Sequence, residues 1–276
     1  MNRRMLCFSL VICLAPFLQG TGAIHADERG EQSIKLPAKD KFYLFLLAGQ
    51  SNMAGRGEVS DADRTPHPRV LMLNKHNQWV PAIDPLHFDK PKVAGTGLGK
   101  TFGTIIAETD PEITVGLIPC AVGGTSIDRW EPGAKDAATK THPWDDCMAC
   151  VKPVLKVGTL KGILWHQGEG DANTRRAPLY LEKQKSLVQR FRQEFNAPAV
   201  PFILGQLGQF EARPWTDSTR QVDQAMHQLV EQVPQTALVS SEGLHHKGDN
   251  LHFDSAAYRE FGKRYAEAFL KLAMPK

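Results

Sequence analysis

Short apolar runs alternate with longer amphipathic stretches along most of this chain. The runs contain five to seven residues, mostly Val, Ile, Leu and Phe, and they occupy residues 42–48, 113–119, 162–166, 201–207 and 236–240. Nearly continuous apolar runs of this length are typical of strands that are buried on both faces. They therefore predict five strands of a sheet that is covered on both sides.

The stretches between and after these runs carry apolar residues at spacings of three and four. This spacing is the period of an α-helix with one buried face, and it predicts helices over residues 98–109, 179–195, 216–233 and 255–272. Asp254 or Ser255 is a suitable N-terminal cap for the last helix. Strands that alternate with helices form a parallel sheet between helix layers, so we predict one α/β domain over residues 41–276.

Two polar, proline-containing segments interrupt the pattern, residues 55–97 and 128–146. We interpret both segments as long surface loops. Loops in such folds tend to lie over the carboxyl ends of the strands, where ligands bind. They therefore mark the edge of the sheet at which functional side chains are expected.

The first residues follow the order that is typical of a secretory signal peptide. Two arginines precede an apolar stretch at residues 5–18, and Ala23 and Ala26 are candidate last residues before cleavage. We predict a signal peptide over residues 1–26, a disordered lead-in over residues 27–40, and a secreted or periplasmic protein. The apolar stretch has about 14 residues whereas a membrane span needs roughly 20, so an uncleaved anchor is the less favoured alternative.

The bulk composition favours a globular protein and gives no sign of a polyanionic partner. The 276 residues are 42% hydrophobic and 23% charged, which is enough apolar mass for a sizeable core. The 33 basic and 30 acidic residues nearly balance, with a net charge of +3. We therefore expect neither nucleic acid nor, after signal cleavage, a membrane as a partner.

Three cysteines remain after the predicted cleavage, namely Cys120, Cys147 and Cys150. An odd number in an exported protein means one disulfide with one free thiol, or no disulfide. Cys147 and Cys150 form a lone C-x-x-C pair, and a zinc site needs two more ligands at matching spacing. We therefore favour a structural disulfide with Cys120 as a candidate partner, and the pairing stays open.

A serine and a late histidine supply the groups that acyl transfer through serine requires. Ser51 follows the first apolar run through Gly49, which permits a tight turn. If a helix begins there, its dipole and first N–H groups favour negative charge above the serine. His252 is the type of side chain that accepts a serine proton near neutral pH, and Asp249 can fix its tautomer. A lone serine in such a turn usually caps a helix, so the hypothesis depends on the whole set of residues.

Two further segments, each directly after a predicted strand, carry candidate oxyanion donors. Gly123 and Gly124 follow the second run, and glycines let backbone N–H groups approach a ligand closely. Gln167 follows the third run and can direct its amide at the same oxyanion, while Glu169 can orient neighbouring donors. Because these segments converge on one edge of the sheet, together they meet the requirements for a nucleophile, a base, an orienter and oxyanion donors.

His245, His246 and His252, together with Asp249 and Asp254, also permit a metal-binding interpretation. No H-E-x-x-H motif occurs, and the ligand spacing fits no pattern for which we can argue. In an extended segment, His245 and His246 point to opposite faces. We therefore predict no metal, and a metal-dependent hydrolase is the less favoured alternative.

Four motifs carry the candidate chemistry, in this order along the chain: Gly-Gln-Ser-Asn-Met at residues 49–53, Gly-Gly-Thr at 123–125, His-Gln-Gly-Glu at 166–169, and Asp249-x-x-His252. This set resembles the SGNH-hydrolase superfamily, and specifically its sialate O-acetylesterase and acetylxylan-esterase branch. The first and third motifs in that order are the specific ones, and the resemblance spans residues 41–276. Gly170 departs from the pattern, because many relatives have serine or alanine there.

The resemblance implies a flavodoxin-like, three-layer α/β/α sandwich with a mostly parallel five-stranded sheet and no cofactor. It also implies hydrolysis of O-acetyl esters on oligo- or polysaccharides through an acetyl-enzyme intermediate. Two alternatives stay open: a general short-chain or lipase-like esterase, and a carbohydrate-binding protein without activity.

Each site residue acquires a role from the same resemblance. Ser51 would be the nucleophile, His252 the base and Asp249 the orienter of that base. The oxyanion donors would be the backbone N–H of Ser51, the N–H of Gly123 or Gly124, and the side chain of Gln167. Glu169 would support them.

The sugar, the acetyl position and the oligomeric state stay open. Trp79, Trp130, Trp144 and Trp215 lie in predicted loops. Their rings are suited either to stack on sugars or to fill the core beneath the loops. The sequence favours neither interpretation.

Overall fold

One seven-stranded sheet runs through the part of the chain that the computed structural model describes, residues 34–273. Its strands are β1 (Phe42–Gly49), β2 (Val70–Leu73), β3 (Trp79–Pro81), β4 (Thr114–Pro119), β5 (Thr159–His166), β6 (Phe202–Gly205) and β7 (Thr236–Val239). Their order is β3-β2-β4-β1-β5-β6-β7, and only the β2–β3 pair is antiparallel. The predicted mostly parallel sheet is confirmed, but the predicted number of five strands is wrong.

The two additional strands lie within residues 55–97, which the sequence pattern predicts to be a loop. β2 is a buried Val-Leu-Met-Leu segment of four residues, and β3 is a three-residue edge strand that ends at Pro81. Segments this short show no clear period, and proline is tolerated in a sheet mainly at an edge. β2 joins the sheet through its pairing with β4, and the residues of β2 alone do not indicate this pairing.

Seven helices accompany the sheet within residues 34–273: α1 (Ser51–Ala54), α2 (Asp61–Arg64), α3 (Gly99–Thr109), α4 (Pro143–Val154), α5 (Tyr180–Glu194), α6 (Asp217–Gln232) and α7 (Ser255–Ala273). Helices α3, α5, α6 and α7 match the four predicted helices to within one residue at each end. Helix α4 was not predicted, and it begins inside the supposed loop 128–146. Pro143 occupies the first helical position, and a proline there suits a helix start as well as a loop.

Helices cover both faces of the sheet. On one face, the rings of Phe45, Phe102 and Phe269 join β1, α3 and α7 in edge-to-face contacts with centroid separations of 4.9–6.1 Å. On the other face, Trp165 and Phe202 pack with Phe191 of α5 and with Trp130. The result is the expected three-layer α/β/α arrangement. None of the helices in the described residues is both long and apolar enough to cross a bilayer.

The predicted signal peptide and the predicted lead-in both involve residues before Ile34, the first residue that the structure describes. The chain divides into residues 1–35, of which only Ile34 and Lys35 are described, and residues 36–276, which hold every element named above. The predicted signal peptide and the first half of the predicted lead-in, residues 27–33, therefore lie outside the described residues. The last residues of the lead-in form a single turn at Lys39–Lys41, and the Thr159 hydroxyl donates to the Lys39 carbonyl.

The sheet order brings three functional segments together. Strands β4, β1 and β5 are neighbours, so the residues after Pro119, Gly49 and His166 leave the sheet at the same edge. Gly49 has a φ of +128°, and a Cβ there would lie 2.2 Å from the His166 carbonyl oxygen. Only glycine fits this close contact between the ends of β1 and β5.

We predict that Asp84 makes stability fall as pH rises. Burial, and then the nearby Asp63 charge, raise the pKa of Asp84 to about 7. Between about pH 4 and pH 7, the folded chain holds a proton that the unfolded chain releases, so the unfolding free energy declines by at most about 4 kcal/mol over that window. The replacement Asp84→Asn should flatten this decline in urea unfolding measured across pH 4–8.

The exposed replacement Asp61→Asn in α2 is the control, and it should keep the wild-type slope. An Asp84→Asn variant with an unaltered pH slope would contradict the assignment.

Candidate active site

Ser51, His252 and Asp249 form a hydrogen-bonded chain. The Ser51 Oγ lies 3.0 Å from Nε2 of His252, although 201 residues separate them along the chain. The other ring nitrogen, Nδ1, lies 2.7 Å from Oδ2 of Asp249. A hydroxyl, an imidazole and a carboxylate in this order permit transfer of the hydroxyl proton to the imidazole.

The Asp249 carboxylate organises its own turn as well as the imidazole. Its Oδ1 accepts from the backbone N–H groups of Leu251, at 3.0 Å, and of His252, at 2.8 Å. Partial burial favours a higher pKa for Asp249, but the hydrogen bonds from His252 and Leu251 outweigh it and lower the pKa to about 2. The carboxylate is therefore ionised at neutral pH, so it accepts from an Nδ1–H and leaves Nε2 free to accept from the serine.

Asn52 holds the segment that carries His252 against the turn that carries Ser51. Its Nδ2 donates to the Leu251 carbonyl at 3.1 Å, and its Oδ1 accepts from the Phe253 N–H at 3.4 Å. These two contacts lie on either side of His252. Tyr258 of α7 donates its hydroxyl to the same Oδ1 at 2.8 Å. Asn52 is not among the site residues predicted from the sequence, although it belongs to the Gly-Gln-Ser-Asn-Met motif.

Glu169 is the second partner of the Asn52 amide group. Its Oε1 accepts from Nδ2 of Asn52 at 2.6 Å, while its Oε2 is buried without a partner in the described residues. Glu169 therefore contacts the group that brackets the imidazole rather than an oxyanion donor. Glu169 therefore supports the site through Asn52, the neighbour of Ser51, and not through a direct contact with Ser51.

The two candidate glycines differ in their hydrogen bonds. The Gly123 N–H donates to Oδ2 of Asp89 at 2.8 Å, and Arg56 holds the same oxygen at 2.7 Å. No acceptor among residues 34–273 pairs with the N–H of Gly124, whose φ is +85°. The N–H of Ser51 likewise has no acceptor in the described part of the chain, as expected at the first residue of a helix.

The Arg56–Asp89 pair is buried beside the nucleophile. Both side chains are 3% exposed. Burial favours a higher pKa for Asp89, but hydrogen bonding and charge from Arg56, with the Gly123 N–H, lower it below its ordinary value. Asp89 is therefore an anion at neutral pH, and Arg56 neutralises a charge that would otherwise oppose a second anion nearby. Neither residue was predicted from the sequence, because both lie outside the four motifs that carry the candidate chemistry.

Gln167 is fully buried, and its amide is engaged by the protein. Nε2 donates to Oδ2 of Asp171 at 2.6 Å, to the Thr125 carbonyl at 3.2 Å and to Oε1 of Gln50 at 3.3 Å. Oε1 accepts from the Tyr180 hydroxyl at 2.9 Å. In this conformation Gln167 joins the ends of the strands beneath the site, and no N–H of its side chain is left over. Donation to an oxyanion requires one of these bonds to open, so that role stays a prediction.

The residues of the metal alternative do not converge. His246 uses Nδ1 to accept from the N–H groups of Gly248 and Asn250, which stabilises a turn. Across residues 34–273, no three His, Cys, Asp or Glu side chains are grouped so that they could hold a metal ion. His166 is a core residue with its Nε2 against the Gln206 carbonyl, and burial lowers its pKa.

The predicted disulfide among Cys120, Cys147 and Cys150 is not formed in the structure. Cys120, Cys147 and Cys150 are all free in the structure. Cys120 follows β4 directly, and the other two lie on α4. A hydrogen bond with Cys147, together with burial, raises the pKa of Cys120 well above its ordinary value. Cys120 is therefore a neutral thiol in the structure.

Comparison with known proteins gives one family. A family model described as "Carbohydrate esterase, sialic acid-specific acetylesterase" matches residues 41–271, which include every site residue named above. The probable carbohydrate esterase At4g34215 of Arabidopsis thaliana is 29% identical over 273 residues, which cover 92% of this chain and 98% of that protein. The X-ray structure of the Arabidopsis protein aligns with a TM-score of 0.73 over 83% of this chain and 98% of that chain.

More distant structures share the fold. NanS is 18% identical, with a TM-score of 0.69 over 86% of this chain and 98% of its own. A carbohydrate acetylesterase from Xanthomonas citri is 20% identical, with a TM-score of 0.64 over 84% of this chain and 56% of its own. At these identities the likeness concerns the fold alone.

We predict that Asn52→Asp destabilises the fold more at pH 7.5 than at pH 5. The replacement puts a carboxyl group where Asn52 donates to Glu169 at 2.6 Å and to the Leu251 carbonyl. Like charge raises the pKa of the new carboxyl group in the folded state only, so its stability cost grows as pH rises above about 4. We expect a loss of about 1–3 kcal/mol at pH 7.5 in urea unfolding.

Asn74→Asp is the matched control, because the oxygen at that surface position accepts two N–H groups that a carboxylate also accepts. It should change stability by less than about 0.5 kcal/mol at either pH. An equal loss of unfolding free energy by Asn52→Asp at both pH values would show that the charge of Glu169 does not repel a carboxylate at this position.

Proposed function

The chain belongs to the carbohydrate esterase family of sialic acid-specific acetylesterases, and on this premise we propose that it removes acetyl groups from sugars through an acetyl-enzyme on Ser51. By that membership it is a carbohydrate O-acetylesterase, and acetylated carbohydrate is its class of substrate. The proposal concerns the mechanism, the residues that perform it and the type of sugar. The observation that carries it is the hydrogen-bonded chain from Ser51 through His252 to Asp249.

In the proposed first step, Ser51 Oγ attacks the acetyl carbonyl while Nε2 of His252 takes the serine proton. Asp249 stabilises the imidazolium that forms, since it is ionised and already accepts from Nδ1. The imidazolium then gives its proton to the departing sugar oxygen. In the second step, His252 activates a water that cleaves the acetyl group from Ser51, which releases acetate and restores the enzyme.

We propose that the tetrahedral oxyanion is bound by the N–H groups of Ser51 and Gly124. Both are free of other acceptors among residues 34–273, and both follow neighbouring strands. Gly123 is the alternative donor, and it would have to release Asp89. Gln167 would act as a third donor only after a rearrangement of its buried partners. Each such donor typically contributes about 10²–10³ in rate.

Two substrate types fit the family, acetylated sialic acids and acetylated xylan. The competing function is a general short-chain esterase, which would accept esters of any alcohol and tolerate longer acyl chains. Rates on 4-nitrophenyl acetate, butyrate and octanoate, set beside acetate release from the two acetylated sugars, separate these functions. A preference for octanoate over acetate would favour the general esterase.

We also propose that the chain is exported. The order of charged, apolar and small residues within residues 1–26 supports this proposal. A mature protein whose first residue follows Ala23 or Ala26, as measured by N-terminal mass spectrometry, is the expected result. An intact Met1 on the protein recovered from its native compartment would contradict it.

We predict that Ser51→Ala lowers the rate of acetate release by about 10⁴-fold or more, because the replacement removes the proposed nucleophile. The measurement is acetate release from an O-acetylated sialic acid and from acetylated xylan, with 4-nitrophenyl acetate as a common substrate. Ser186→Ala on α5, at an exposed position, is the control and should retain wild-type activity.

A complementary measurement follows the wild-type enzyme during rapid mixing with 4-nitrophenyl acetate. An acetyl group on Ser51, found by peptide mass spectrometry, is expected. Wild-type turnover by Ser51→Ala would overturn the mechanism even if the chain proved to be an esterase.

A further inference from the structure

A cavity of about 160 Å³ lies beside the segment that carries Asp249 and His252. We propose that this cavity binds the sugar part of the substrate, with the Trp215 ring stacked on the sugar and the Arg213 guanidinium paired with a carboxylate of that sugar. The inference rests on the proposed function, because it treats the group held in the cavity as the alcohol part of the ester. It assigns specificity to residues outside all four motifs.

One wall of the cavity belongs to the catalytic framework. Asn250 and Leu251, the two residues between Asp249 and His252, line it together with Glu169. The Leu251 carbonyl and Glu169 are both bound by Asn52, so this wall is held in a fixed position relative to Ser51. The lining residue Leu251 directly precedes His252, so a sugar ring bound there would lie on the side of the base to which the alcohol part of an ester must be held for proton return.

The opposite wall comes from the segment between β6 and α6, residues 206–216, together with Thr219 in the first turn of α6. Phe210, Pro214 and Trp215 supply apolar surface. The Trp215 indole N–H donates to the Gly208 carbonyl at 2.7 Å, and the Trp215 carbonyl accepts from Arg220 at 2.6 Å. The ring is therefore oriented before a ligand arrives. A fixed aromatic face opposite polar groups is a common design for a site that binds an amphipathic ring such as a sugar.

The other tryptophans that were candidates for stacking are occupied elsewhere. Trp130 and Trp144 are 0% and 3% exposed and belong to the core. Trp79 lies in the edge strand β3 and packs against Phe42 at a centroid separation of 4.8 Å. Of the four tryptophans in the predicted loops, Trp215 alone lines the cavity.

The charge of Arg213 gives the cavity its preference. The Arg213 backbone N–H donates to the Phe210 carbonyl, which fixes the turn. Its side chain is exposed, and every arginine ion pair within residues 34–273 belongs to another arginine. Glu169 also lines the cavity, but its Oε1 accepts from Asn52 and its Oε2 is buried. A guanidinium binds a carboxylate through two parallel hydrogen bonds, and it offers less to a neutral sugar. An acidic sugar therefore fits this cavity better than a neutral pyranose.

The first test measures binding without turnover. The full-length Ser51→Ala variant, labelled with ¹⁵N, is titrated with sialic acid and, separately, with xylotriose. We expect sialic acid to shift the indole N–H resonance of Trp215 and to leave that of Trp79 in place. Arg213→Gln should weaken the binding of sialic acid about tenfold and leave that of xylotriose nearly as before.

The second test separates binding from chemistry in the catalytically intact enzyme. Trp215→Ala should raise KM for the O-acetylated sialic acid about tenfold, with a much smaller effect on 4-nitrophenyl acetate. Trp215→Phe should recover part of the loss, because a ring remains. Trp79→Leu and Arg64→Gln are the matched controls, and they should behave as the wild type.

The two proposals fail differently. An active esterase whose Trp215 resonance does not respond to either sugar would overturn the cavity assignment and leave the proposed mechanism intact. A Trp215 shift with sialic acid in a protein that releases no acetate would overturn the mechanism and support the cavity. Equal responses to sialic acid and xylotriose, unchanged in Arg213→Gln, would overturn the assignment of Arg213.

Discussion

The geometry of the site depends on one buried amide, the side chain of Asn52. Ser51 follows the central strand β1, so the sheet fixes its position, whereas residues 249–252 belong to no strand or helix. Asn52 contacts the backbone on both sides of His252 and so transfers the rigidity of the sheet to a loop. Tyr258 and Glu169 hold that amide in turn. A hydrogen bond of 3.0 Å between serine and histidine needs such support, because loops alone vary by more than that tolerance allows.

Much of the architecture was predictable because each long strand or helix has a hydrophobic pattern that identifies it from its own residues. The apolar run of β1 predicts a buried strand, and the helical spacing of apolar residues in α7 predicts a helix. Neither prediction needs information about the elements that pack against them. Ser51, Gln167 and the 249–252 pair were found because parallel strands end at a common edge, and because the motifs there resemble a known set. β2 and α4 escaped for opposite reasons. β2 is too short to show a period, and the prolines near both ends of α4 imitate a loop.

The hydrogen bonds within the site were beyond the sequence, because they join residues that are remote along the chain. Nothing in the residues around Asp89 indicates that it accepts from Gly123, 34 positions away. The full engagement of Gln167 follows from Asp171, Thr125 and Gln50 meeting around it, which only the folded chain shows. Residue types at strand ends predict where chemistry occurs, while the choice of donor among neighbouring N–H groups is a property of the packing.

The segment between β6 and α6 has a consequence for how such a protein can change over time. Residues 206–216 supply most of one wall of the cavity but belong to no strand of the sheet, whereas a Cβ at Gly49 would lie 2.2 Å from the His166 carbonyl oxygen. Mutational libraries confined to this segment would therefore vary the proposed sugar-binding wall without changing any residue of β1 or of the hydrogen-bonded chain at Ser51. In the proposed site, one wall of the cavity and the catalytic residues therefore come from separate stretches of the sequence, so that wall can change while the catalytic residues stay the same.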